Sequence, residues 1–198
     1  MKEWNFRARG VQSFYDHQSR LAKILPASPY LMTYISVTNQ FQTVRAKFSP
    51  FAIPAPIKFE NNVIVKKCFS QLTLAIQSLH ACGLVHNDVR WDNVVLQTNG
   101  NFLLVDYDLM SVCDATRKVP GVFGLNPDSH APNIKRDHGP EVDIWGLGYL
   151  MATTIVSPQA FQAVIRSFGS EIMEESQRAP KKCGDLLQRI MRFCESVN

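Results

Sequence analysis

From Asn62 to Gly83 apolar residues recur at spacings of three and four: Val65, Cys68, Phe69, Leu72, Ala75, Ile76 and Leu79. That period predicts one buried helical face, a core helix of about five turns, with Gly83 where such a helix would stop. After it "LVH", "NVVLQ" and "FLLVDY" are short β-type runs, and the "TNGN" between the last two carries the Asn-Gly signal of a hairpin. The polar stretch 86–93 then falls on a loop between two short strands. Upstream, residues 1–29 have mixed polarity, "PYLMTYISV" suits a buried strand, and "FSPFAIPAP" holds three prolines, which forbid regular structure there. Residues 109–140 have turn residues and little periodicity and predict a long ordered loop. Gly139-Pro140 opens a second helix through Thr154, and two further helices are expected near 158–168 and 183–196.

Composition narrows the class. A chain of 198 residues with 45% hydrophobic content suits one globular domain. The net charge of +4 comes from 21 basic and 17 acidic residues without a like-charge run, which argues against a nucleic-acid partner. Five scattered cysteines, no CxxC pair and no secretory pattern in "MKEWNFRARG" suggest reduced thiols and an intracellular, cytoplasmic or nuclear protein. The apolar run Ile144–Val156 is too short to cross a bilayer, so no membrane partner is expected.

The chemistry concentrates in "LVHNDVRWDNVVL", residues 84–96. An unpaired carboxylate or amide beside so much apolar sequence would cost several kcal/mol to bury. Asp88 and Asn93 therefore need partners or a ligand. Asp106 follows in "VDYD", thirteen residues after Asn93 and at the end of the second hairpin strand. This set resembles the H-R-D-x-x-x-x-N catalytic loop and D-F-G motif of the protein kinase family. Downstream, "HAPNIKRDHGPEVDIWGLG" resembles A-P-E followed by D-x-W-x-x-G, with Asp143 as the buried brace of the catalytic loop.

The resemblance implies a kinase-like phosphotransferase that uses ATP and Mg²⁺ and acts on a protein hydroxyl, Ser or Thr. It assigns Asp88 as base, Arg90 to the transferring phosphoryl group, and Asn93 and Asp106 to the metal. It places adenine against the backbone near Thr33 and Ile35 with Val95 beneath. The expected fold is mainly α (α+β), a kinase-like large lobe over 37–198 with a short β-hairpin catalytic region. Residues 1–36 are expected to be a remnant of the small lobe and hinge, with the small lobe largely missing, because no G-x-G-x-x-G loop or V-A-I-K-type strand lysine is found.

An alternative implied role is a pseudokinase or truncated lobe that binds a protein partner. The exposed hinge strand is expected to drive self-association. Asn87 stands for the motif's Arg, Asp108 for the Gly of D-F-G and Asn133 for the Glu of A-P-E. "VDYDLM" and "HNDVRWDN" together resemble the fungal and oomycete crinkler-type kinase-like group. His17, His80, His130 and His138 lack metal-ligand spacing and receive no role.

Overall fold

The computed structural model describes residues 1–6, 10–56, 59, 62–113, 118–126 and 129–155. The helices expected near 158–168 and 183–196, with Cys183 and Cys194, lie outside the described residues. Helix α2 (Asn62–Ala81) buries Cys68, Phe69, Leu72, Ala75, Ile76 and Leu79, the face that the apolar period marks. Gly83 follows with φ +69°, a left-handed conformation that glycine adopts at little cost.

Strand β5 (Leu84–Val85) leads into the polar loop, and β6 (Val94–Gln97) and β7 (Phe102–Leu104) form the expected antiparallel hairpin. A short strand β4 (Ala52–Pro54) adds to the other edge of β6, giving the order β4-β6-β7. Strand β8 (Ser111–Val112) pairs with β5. Helix α3 (Glu141–Ile155) packs against α2, and Ile144, Leu147, Leu150 and Met151 join its core. The contact of α3 with the polar loop is close at Gly146. A Cβ there would lie 2.9 Å from both Val89 Cβ and the Val89 carbonyl oxygen. Within the long segment after β8, Val119 bridges His138, and Val119, Ala131, Ile134 and Val142 form a second small core with Val85. No described helix is long and apolar enough to cross a membrane.

The front of the chain differs from expectation. Strands β1 (Lys2–Asn5), β2 (Thr33–Gln40) and β3 (Thr43–Ser49) form an antiparallel sheet in the order β1-β3-β2. Helix α1 (Val11–Ile24) packs on this sheet through Leu21, and Phe14 lies 5.1 Å from the Trp4 ring. Strand β2 runs through position 36 and pairs with β3 on one side, as the outer strand of the described sheet.

Two local features hid this sheet. The β2–β3 turn uses Phe41 at φ +57° instead of Asn-Gly, and α1 places Gln18, fully buried, on its apolar face. Both break the patterns by which a hairpin and an amphipathic helix are read.

Candidate active site

Asp143 organises the polar loop from beneath. Its Oδ2 accepts the His86 backbone N–H and its Oδ1 the Asn87 N–H, each at 2.8 Å, and His80 Nε2 donates to Oδ2 at 2.9 Å. Burial alone would push the Asp143 carboxyl up. The His80 hydrogen bond, the charges of His80 and His86 and the His86 N–H outweigh it, and the group sits below the usual carboxylate range. A side chain on α3 thereby fixes two consecutive backbone groups of the loop. Asn87 takes φ +69°, and its amide donates to the Leu109 carbonyl at 2.7 Å and to Ser111 Oγ at 3.0 Å, while His138 Nε2 donates to Asn87 Oδ1 at 2.9 Å.

On this support the loop brings Asp88, Arg90 and Asn93 together. Asn93 Nδ2 donates to the Asp88 carbonyl at 2.8 Å and to Asp88 Oδ2 at 2.9 Å. His130 Nε2 donates to Asp88 Oδ1 at 2.9 Å, and Arg90 Nε lies 3.4 Å from the same oxygen. Burial raises the Asp88 carboxyl, but hydrogen bonds from His130 and Asn93 and the Arg90 charge hold it below its ordinary value. Asp88 is thus a buried, ionised carboxylate with donors on both oxygens.

Asp106, after β7, has φ +69°, so the left-handed position falls on the first Asp of "VDYD" and not on Asp108. Lys2, on β1, reaches across to Asp106 Oδ1 at 2.6 Å and Asp108 Oδ2 at 2.8 Å, and Trp4 Nε1 donates to Asp108 Oδ2 at 2.7 Å. Burial lowers the Lys2 ammonium, yet its two carboxylate partners more than compensate and raise it. Asp108 is pushed up, by burial first and then by the charge of Asp106, against the hydrogen bonds from Lys2 and Trp4.

Between the β1–β3 sheet and the β6–β7 hairpin lies a cavity of about 280 Å³. Met32, Phe48, Phe51 and Tyr107 give it apolar walls, and Lys2, Asn93, Asp106 and Asp108 a polar end. Tyr107 is fixed by donating to the Met32 carbonyl at 2.8 Å, and its burial raises its phenol. Thr33, Ile35 and Val95 are not among the lining residues. Thr33 and Ile35 are exposed on β2, Ile35 at 64%, and Val95 sits opposite Leu103 and Pro54 in the second sheet. The stretch that lines the cavity is Phe48 and Pro50–Ala52, the connection from β3 to β4.

Four residues escaped the sequence reading. Lys2 stands on a strand, but a four-residue strand with mixed polarity carries no signal of its own. His80, His130 and His138 each bond a residue of the loop or its brace, and only the direct succession of His130 by Ala131-Pro132 marked one of them as near the site.

Which group these residues could hold follows from their donors. Asn93 Oδ1 and Asp106 Oδ2 take no hydrogen bond from any described residue and belong to residues that line the same cavity. Such hard oxygens suit Mg²⁺, which takes one or two carboxylates and completes its shell with phosphate and water. No group of three His, Cys, Asp or Glu side chains converges on a metal position among the described residues, so a zinc-type cage is not formed there.

The family model described as protein kinase domain matches residues 32–196. The serine/threonine-protein kinase ppk34 of Schizosaccharomyces pombe is 25% identical over 138 residues, covering 67% of this chain and 39% of that protein. The serine/threonine-protein kinase MRCK beta of Homo sapiens is 29% identical over 156 residues, 68% of this chain and 9% of that protein. The chain thus spans less than half the length of these relatives. With the family model matching most of its residues, the chain belongs to the protein kinase family.

Proposed function

We propose that this chain is a protein kinase-type phosphotransferase that moves the γ-phosphate of ATP to a Ser or Thr hydroxyl of a protein substrate. The observation that supports this best is that Asn93 and Asp106 line one cavity with Lys2, and Asn93 hydrogen-bonds the Asp88 carboxylate just behind it. Asp88 orients the acceptor hydroxyl and takes its proton. Asn93 and Asp106 are the residues that would hold Mg²⁺. Bound Mg²⁺ supplies charge neutralisation at the transferring phosphate. Arg90, two residues from Asp88 and half-exposed, offers a guanidinium to that phosphate.

Lys2 is the cation placed to bind the remaining phosphate oxygens, exchanging a carboxylate partner for them. The adenine then lies between the β3–β4 connection and the Tyr107 side of the cavity, a different placement from Thr33, Ile35 and Val95. The test is transfer from radiolabelled ATP with Mg²⁺ to a generic protein substrate. The wild-type chain should label it, and Asp88→Asn should lower the rate by at least about 10²-fold. Equal labelling by wild type and Asp88→Asn would refute the assignment.

A further inference from the structure

His130 carries no part of the transfer as proposed, and its geometry is specific. Its Nε2 lies 2.9 Å from Asp88 Oδ1 and its Nδ1 2.8 Å from the Asn126 carbonyl oxygen. An ionised carboxylate and a carbonyl can only accept, so both ring nitrogens must donate. Only the imidazolium has two N–H groups. The ring is buried, with its side chain 4% exposed, and Ser129 Oγ lies 3.2 Å from Nδ1. The titratable and charged groups facing it, among the described residues, are Asp88 and Arg90, both on the loop after β5, and His86 adds its field at Asp88. The hydrogen bond to Asp88 raises the proton affinity of His130, and burial opposes it without prevailing.

That cation occupies the base. Asp88 Oδ2 accepts from Asn93, Oδ1 accepts from His130, and Arg90 Nε stands 3.4 Å from Oδ1, buried and without a hydrogen bond. An approaching hydroxyl must compete with an imidazolium for Oδ1. Resting on the phosphotransfer reading, we infer that His130 is a positioning residue that latches the Asp88 carboxylate as an imidazolium and must give up a proton before Asp88 can accept one from substrate. Loss of the Nδ1 proton to water sets a ring lone pair against the Asn126 oxygen at 2.8 Å. The ring is then neutral, and Ser129 Oγ, 3.2 Å from Nδ1, can donate to the bared nitrogen. At Asp88 Oδ1 the substrate hydroxyl competes with a neutral Nε2–H instead of a cation, which restores the basicity of Asp88. No heavy-atom bond changes in this step.

The test pairs an imidazole NMR titration with a pH–rate profile. In the wild-type chain the His130 ring should carry both N–H protons at neutral pH and titrate above the ordinary value of about 6.5, and Asp88→Asn should move that titration down. Transfer measured as kcat/KM should rise about tenfold per pH unit on the acid side of the same titration. His130→Gln, which keeps one donor and loses the titration, should flatten that limb and exceed wild type at about pH 6. His130→Ala should flatten it as well.

A His130 titration at or below the ordinary value overturns the inference whatever the activity. A normal acid limb in His130→Gln overturns it too, leaving the contact merely structural. If the titration is as expected but no variant transfers phosphate at any pH, the phosphotransfer reading itself fails and the gating falls with it.

Discussion

Asp143 and Asp106 are both carboxylates with N–H partners within 3 Å, yet they sit in opposite surroundings. Asp143 is 1% exposed, and its three donors belong to the helix and loop that it joins. Asp106 has a side chain 33% exposed, and its partner Lys2 has one 35% exposed, at a cavity mouth. A buried carboxylate that loses its donors, or donors that lose their carboxylate, incur the full cost of desolvation. A half-exposed pair is screened by water and salt and can exchange partners cheaply. The first arrangement suits a fixed brace. The second suits a site where a ligand must displace one partner.

The comparison can be broken at the brace. Asp143→Ala leaves two loop N–H groups and His80 unpaired in the core and should cost about 3–5 kcal/mol in stability, measured by chemical denaturation. Because the folded Asp143 carboxyl lies below its unfolded value, its contribution is full above the unfolded pKa of about 4 and is lost as pH falls through the folded value. Denaturation midpoints of the wild-type chain should therefore drop in acid more steeply than those of Asp143→Asn. A parallel drop would remove Asp143 from the account of acid stability.

Gly146→Ala probes the same support by crowding rather than by charge. The added Cβ meets Val89 backbone and side chain, which cannot swing away as a flexible tip could. A loss of about 1–3 kcal/mol is expected, and Val89→Ala in the Gly146→Ala background should restore part of it. At the cavity mouth, Lys2→Met should change stability by less than about 1 kcal/mol, and the change should shrink in high salt. A loss as large as that of Asp143→Ala would show that the two regions do not differ as described.

The sequence made some of this legible and concealed the rest for identifiable reasons. Helix α2, the β6–β7 hairpin, α3 and the loop of Asp88 and Asn93 follow from period, Asn-Gly and Gly-Pro signals that are local. The role of Asp143 came from the resemblance of "DIWGLG" after Ala131-Pro132 to the kinase motifs, and its three hydrogen bonds agree with it. The front sheet was missed because β1 is four residues long, the β2–β3 turn sits on Phe41, and Gln18 interrupts the apolar face of α1. Lys2 and His130 could not be read at all as site residues. Each meets its partner across more than forty positions of chain, a relation that only the fold supplies.

Calorimetric titration of Mg-ATP into the wild-type chain, Asp106→Asn and Asp88→Asn tests most directly whether metal holding and proton acceptance reside in these separate carboxylates. Asp106→Asn should weaken binding severalfold or more, whereas Asp88→Asn should bind nearly as wild type does, because a base acts chiefly in the transition state. Equal loss of binding in the two variants, or undiminished binding in Asp106→Asn, would contradict that division.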